Sequence, residues 1–189
     1  MIPIQNIYYM LSYAFQVLNE QGYKSVATEH FENVADLCAA ILIKGLSKQL
    51  KRGLMKDYIP KREPLTALRG KMEISETLKT NSIIKRQVVC SYDEFSENAY
   101  MNRIIKTTIL RLMVADVDKS RKKEMKKLLV FLGNVEPLPI YSINWNLRYD
   151  RNNQTYRMLV SVCYLVLKGL LQTQSVSYTH LTLPTTSRV

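Results

Sequence analysis

The sequence predicts an α+β fold, mainly helical with a small antiparallel sheet, and three observations predict it. Five stretches carry apolar residues at offsets of three and four, the spacing of one stripe on a helix. Between the second and third of them, residues 54–92 lose that period and alternate short apolar and polar segments. The chain has 189 residues, 47% of them hydrophobic and 23% charged. A single domain of that size, with or without an appendage, buries about 70% of the surface its extended chain would expose, so it needs no disulfide or metal staple.

Gln5 to Leu18 places Ile7, Met10, Leu11, Ala14, Phe15 and Leu18 on one stripe, and Gln21 and Gly22 close that helix. Thr28 is the expected N-cap of a second helix, with Phe31, Val34, Ala35, Cys38, Ile41, Leu42 and Leu46 on its apolar face. Lys44, Lys48, Lys51 and Arg52 gather late, where cations suit the negative helix end, and Gly53 is expected to take the left-handed C-cap conformation. Pro60, Pro64 and Gly70 then punctuate short extended segments, Met55 to Ile59 and Lys71 to Ile74. Gln87 to Tyr92 is a further strand, and Ser75 to Thr80 a short helix within the sheet.

The helical period returns after Asp93 to Asn98, with Met101, Ile104, Ile105, Thr108, Leu112 and Met113 on one side. Asp93 and Glu94 are expected to favour that helix's N-terminus and to pair with Arg103. From Asp118 to Leu132, Lys119, Lys122, Lys123, Lys126 and Lys127 share one face and Met125, Leu128, Leu129 and Leu132 the other. Glu136 to Asn146 connects to a last helix, about Asn153 to Leu171, with Tyr156, Leu159, Val160, Cys163, Leu167 and Leu170 on its stripe. From Ser175 the composition shifts to Ser and Thr with no acidic residue, which reads as a disordered or non-native tail over residues 175–189; SYTHLTLP resembles translated adapter or vector sequence.

Composition narrows the function. Lys and Arg number 27 against 16 Asp and Glu, a formal charge of +11, which excludes an acidic solvating segment and suggests an anionic partner. Cys38, Cys90 and Cys163 are odd in number and far apart, as small core residues in a reducing compartment would be. With no apolar run near the ~20 residues a bilayer span needs, and no signal-peptide pattern at the start, the chain is expected in the cytoplasm and off the membrane. Two histidines, His30 and His180, are too few to suggest a metal site, and no metal or catalytic residue is assigned. No nucleophile elbow or phosphate loop occurs. Glu124, Met125 and Lys126 with Asp116 or Asp118 mimic a nuclease carboxylate set, but on a helix rather than a sheet edge. The strip Lys119, Lys122, Lys123, Lys126 and Lys127, with Arg121 among it, either contacts nucleic-acid phosphates or is a solvated helix face.

Five blocks carry a resemblance. IPIQNIYYMLSYAF (2–15), KRGLMKDYIP (51–60), LRGKMEISET (68–77), CSYDEFSENAYMNRIIKTTI (90–109) and RNNQTYRMLVSVCYLVLKGLL (151–171) together resemble, in order and spacing, the N-terminal region of the McrC family. That family is the non-GTPase subunit of 5-methylcytosine-directed McrBC restriction systems. The resemblance implies a docking domain over residues 1–174 that binds a McrB-type AAA+ GTPase hexamer and stimulates GTP hydrolysis. It implies DNA contact through the full complex, GTP and Mg²⁺ bound by the partner, and a Mg²⁺-dependent PD-(D/E)xK nuclease domain whose motif has no counterpart in these residues. The family's catalytic residues therefore have no positions to be carried onto, and the chain alone is not expected to cut DNA.

A subunit that docks on a ring needs exposed aromatic and Arg anchors on a rigid base. Tyr8, Tyr9, Arg52, Tyr58, Arg62 and Arg69 are the candidates. Their competing readings are core packing for the tyrosines and solvated charge for the arginines. The rival function is a free-standing basic nucleic-acid-binding protein, and a third is a complete enzyme with an unrecognised site.

Overall fold

The computed structural model of the chain describes residues 33–176. Helix α1, Val34–Arg52, starts with Asn33 as its N-cap in extended backbone, the Asn33 Oδ1 accepting from the Asp36 amide at 2.9 Å. The expected cap at Thr28 is therefore replaced. Asn33 wins the position because its amide group also ties the helix start to distant chain, Nδ2 donating to the Asp116 carbonyl at 2.9 Å. Gly53 follows with φ 94° and ψ 151°, a positive φ but an extended ψ, so the chain leaves α1 outstretched toward the sheet instead of curling back in the left-handed cap.

Strand β1, Asp57–Leu65, runs straight through Pro60 and Pro64, although prolines ordinarily punctuate a strand. β2 is Lys71–Met72, α2 is Ile74–Lys79, a 3-10 turn spans Ser82–Lys85, and β3 is Val88–Ser96. The sheet order is β1-β3-β2, both pairs antiparallel, so β1 is an edge. Two prolines four residues apart lack their N–H on the same side, the outer side, and the ladder loses nothing. β3 also extends four residues past the expected end at Tyr92, because Asp93 to Ser96 pair with Pro60 down to Asp57.

Helices α3, Tyr100–Val114, α4, Lys119–Phe131, and α5, Gln154–Val176, complete a helical body with α1. Its core joins Cys38, Ile41, Leu42 and Leu46 to Ile104, Ile105, Ile109 and Leu112, to Met125, Leu128 and Leu132, and to Tyr156, Leu159 and Cys163. Most of the stripe residues predicted on these helices are buried, with Val34, Ala35, Met113 and Leu129 half-buried, while Phe31 and the Leu170 side chain lie outside what is described. Gly45 sits where α1 meets α5; a Cβ there would lie 2.6 Å from the Met158 Cε and 2.8 Å from a Leu159 methyl, so the missing side chain sets the helix spacing.

At the far end of the body, the Asp36 carboxylate, 1% exposed, accepts from Arg121 Nη1 at 2.6 Å and from the Asp118 amide at 3.0 Å. Arg121 is thus turned inward and leaves the lysine strip. Arg103 also departs from expectation. Its Nη2 lies 3.7 Å from Glu136 and its Nε donates to the Glu136 carbonyl, while Glu94 pairs with Lys61 inside the sheet. Asp93 and Glu94 belong to a strand, and Glu136 on the connection after α4 lies nearer to α3. Tyr8, Tyr9, the predicted helix over residues 5–18, and residues 177–189 of the predicted tail lie outside the described residues. Among the described residues no helix is long and apolar enough to cross a membrane.

Candidate partner-docking site

The strands, α2 and the 3-10 turn pack on one another, and the long helices pack on one another. Nine paired residues at ~3.3 Å each make β1 and β3 an arm about 30 Å long, rooted where α1 ends and α3 begins. The root is fixed by buried polar groups. Asn102, fully buried on α3, donates through Nδ2 to the carbonyls of Met55 and Glu97, each at 2.8 Å, one just before β1 and the other just after β3. Tyr156 on α5 donates to Asn102 Oδ1 at 2.6 Å and accepts from the Met55 amide at 2.7 Å. Burial is the main reason its phenol is pushed up to about 12.

Strand alternation sorts the arm's side chains onto two faces. Tyr58 and Arg62 point one way, across from Phe95 and Ser91. The Tyr58 and Phe95 rings meet at 5.1 Å, yet remain 68% and 58% exposed, so their contact does not hide them. Further along that face Ser91 donates to Glu73 at 3.0 Å, and Arg62 and Lys71 each lie 3.5 Å from the same carboxylate. The Ser91 hydrogen bond first, then Lys71 and Arg62, holds the Glu73 carboxyl below its usual range. Asp93, opposite Pro60 on the same face, balances the second cation, so the face is charged but near neutral.

The opposite face carries Lys61 on Glu94 at 2.5 Å, Tyr92 donating to Glu63 at 2.5 Å, and the Arg69 guanidinium 4.0 Å above the Tyr92 ring. Gly70, at φ +66°, turns the chain so that Arg69 can lie there; a Cβ at Gly70 would meet the Ser91 carbonyl at 2.4 Å. Water screens exposed pairs of this kind, so they order the surface more than they stabilise it. Beyond them Leu68, Ile74, Leu78, Ile83 and Ile84 stand 57–81% exposed around the arm's end. Exposed apolar groups gathered in this way are the mark of an interaction surface.

The structure therefore brings Tyr58, Arg62 and Arg69 onto one arm, and places Arg52, exposed, at the end of α1 beside its root. Lys119, Lys122, Lys123, Lys126 and Lys127 lie elsewhere, on the outer side of α4. Sequence reading missed Phe95 and Tyr92, which the parity of β3 would have assigned to the faces of Tyr58 and Arg69 had its length been known. It also missed Asn102, whose signal was a lone amide on an apolar helix stripe.

Bond-making chemistry finds little here. Among the described residues no group of three or more His, Cys, Asp or Glu could hold a metal ion. Asp118 is occupied as the N-cap of α4, bonded to Ser120, and Asp116 receives Asn33, so they do not converge with Glu124 on a sheet edge. Burial pushes the Cys38 and Cys163 thiols up to about 12, which leaves them neutral and unreactive.

A family model described as "McrBC 5-methylcytosine restriction system component" matches residues 5–181. The Type IV methyl-directed restriction enzyme EcoKMcrBC of Escherichia coli (strain K12) is 27% identical over 176 residues, 92% of this chain and 51% of that protein. The chain thus spans about half the length of the curated relative it matches. A chain of the Thermococcus gammatolerans McrBC complex superposes with TM-score 0.61 at 16% identity, covering 96% of this chain and 60% of its own. A second, from an assembly of Thermococcus gammatolerans McrB AAA+ hexamers with bound McrC, gives TM-score 0.61 at 18% identity over 86% of this chain and 40% of its own.

Proposed function

The chain belongs to the family of McrBC 5-methylcytosine restriction system components, and from that premise we propose that it is the partner-docking region of a McrC-type subunit. It binds a McrB-type AAA+ GTPase hexamer and raises the rate of GTP hydrolysis. The arm supports this reading, because it presents aromatic and Arg side chains on a base that two buried residues, Asn102 and Tyr156, hold in place. Interface energy concentrates in Tyr, Trp and Arg anchors on preorganised surfaces, and Tyr58, Arg62 and Arg69 are such anchors.

Of the similar chains from Thermococcus gammatolerans, one comes from an McrBC complex and one from an assembly of McrB AAA+ hexamers with bound McrC, which adds weight to the same partner here. GTP and Mg²⁺ then belong to the hexamer, and the chain's contribution is a surface rather than a reaction. In the full restriction system, acting on modified DNA in the cytoplasm, a Mg²⁺-dependent nuclease part would make the cut.

Mixing the 189-residue chain with a McrB-type GTPase and GTP tests this. Co-elution with the hexamer and faster GTP turnover are expected, both reduced by Tyr58→Ala with Arg69→Ala. A chain that neither co-elutes nor accelerates turnover refutes the docking function.

A further inference from the structure

A second surface lies on the helical body, along the outer side of α4. Helix α4 has thirteen residues, of which six are Lys or Arg and one is acidic. At 100° per residue, Lys119, Lys122, Lys123, Lys126 and Lys127 fall within a wedge of about 140°. Four of the five are exposed and Lys122 is half-buried, while Met125 and Leu128 anchor the opposite side in the core. None of the five is ion-paired with a described carboxylate. Three nearby acids are engaged elsewhere, Asp36 holding Arg121, Asp118 capping the helix through Ser120 and Asp116 receiving Asn33, and the exposed Glu124 lies on α4 outside the lysine wedge.

The place of this strip relative to the arm follows from α1. That helix has nineteen residues, about 28 Å, with its start beside Asp118 and its end at the arm's root. Lys119 is therefore at the end of the body away from the arm, and α4 runs back from it along the body, so that Glu136, past the end of α4, bonds Asn98 and pairs with Arg103 near the arm's root.

The chemistry of the strip selects its ligand. Protein interfaces are depleted in Lys and anchored by aromatic and Arg residues, which this wedge lacks. Without an aromatic side chain it offers no platform for unstacked bases. What it offers is a straight row of point charges some 12 Å long from Lys119 to Lys127, facing one way on a rigid rod. A duplex strand carries one phosphate per ~3.4 Å of axis, so such a row matches about three to four phosphates. We propose that the outer face of α4 is a duplex-DNA backbone-binding surface, independent of base sequence, on the helical body rather than on the docking arm.

The test is fluorescence anisotropy with a labelled 30-base-pair duplex and the full 189-residue chain, without any GTPase, so that its outcome is separate from that of the docking reading. With about four phosphates contacted, affinity should fall roughly a hundredfold between 50 and 200 mM salt. Lys122→Glu with Lys123→Glu and Lys126→Glu should lower affinity at 50 mM salt by more than tenfold and flatten the salt slope. Lys51→Glu with Lys85→Glu and Lys168→Glu, the same charge change at scattered exposed sites, should cost less than threefold. Both triple variants should keep the wild-type melting temperature. Equal losses in the two triples would show a general effect of net charge and overturn the assignment. So would absence of wild-type binding at 50 mM salt, tighter binding of single strands than of duplex, or equal competition by poly-glutamate.

Discussion

Tyr156 and Asn102 share a buried hydrogen bond of 2.6 Å, and through it both strands of the arm are tied to the helical body at one point. Asn102 takes the carbonyls on either side of the arm, Met55 and Glu97, and Tyr156 takes the Met55 amide. An arm that stands away from the core has little apolar contact to fix its direction. Four hydrogen bonds at its root supply that direction instead, and every polar atom in the set is satisfied.

Removal of one hydroxyl should therefore be costly. In Tyr156→Phe the Met55 amide and Asn102 Oδ1 each lose a partner inside the protein, at about 1–3 kcal/mol per stranded buried group. A chain of this size loses about 2–4 °C of Tm per kcal/mol. Thermal unfolding should show a fall of several degrees, larger still for Asn102→Ala, which frees both carbonyls. A Tyr156→Phe protein that melts with the wild type would show that the root is held by something else.

The Asp36 carboxylate gives a second prediction. It is 1% exposed and its partner Arg121 is 13% exposed, so this pair is out of water on both sides. Arg121→Met leaves the carboxylate buried with only the Asp118 amide, and breaking such a pair costs about 3–5 kcal/mol. Adding Asp36→Leu should recover much of the loss, because the stranded charge is gone. Urea titration of the single and double variants measures both. If the double is no more stable than the single, an uncompensated charge is not the cause.

These two clusters show where sequence reasoning reaches. The helices of the body were legible because burying one stripe leaves a 3.6-residue period, and Cys38, Ile104, Met125 and Leu159 fall on it. β1 was not, since Pro60 and Pro64 read as breaks until the strand is known to be an edge, a fact of tertiary pairing. Tyr58, Arg62 and Arg69 could be picked by residue type, but what unites them is β3, whose last four residues carry Asp93 and Glu94 and look like a helix start. The root could not be found from one dimension. Met55, Asn102 and Tyr156 are separated by about fifty residues each, and neither an Asn nor a Tyr announces its partner.

Alkali should destabilise the fold. Cys38 and Cys163 are raised from 9.0 to about 12, and Tyr156 from 10.0 to about 12, chiefly by burial. A raised folded pKa means that the native state holds its protons more tightly than the unfolded chain does. Stability is then full below about pH 9 and falls as pH climbs toward 12, where the unfolded thiols and phenol ionise first. Melting temperatures from pH 7 to pH 11 should stay level and then decline above pH 9. The thiols of Cys38 and Cys163 should resist a thiol reagent at pH 8 until urea is added. Rapid labelling of either in the native protein would contradict their burial.

Gly70 tests whether the arm's shape, and not merely its residues, matters. Its φ is +66°, and a Cβ would stand 2.4 Å from the Ser91 carbonyl and 2.7 Å from the Tyr92 Cβ, both on the central strand. Backbone cannot give way as a flexible side-chain tip can, so Gly70→Ala must shift the chain between Arg69 and β2. A non-glycine residue in that conformation adds strain of about 1–3 kcal/mol. Arg69 should then leave the Tyr92 ring, and the amides of β2 should exchange faster, whereas those of α1, α3 and α5 keep their protection because the helical core does not include the arm. In the GTPase mixture, Gly70→Ala should weaken stimulation about as much as Arg69→Ala does. Hydrogen exchange resolved by segment reads the first outcome and GTP turnover the second. Unchanged exchange in β2 would refute the strain, and full stimulation with a disturbed β2 would remove Arg69 from the docking surface.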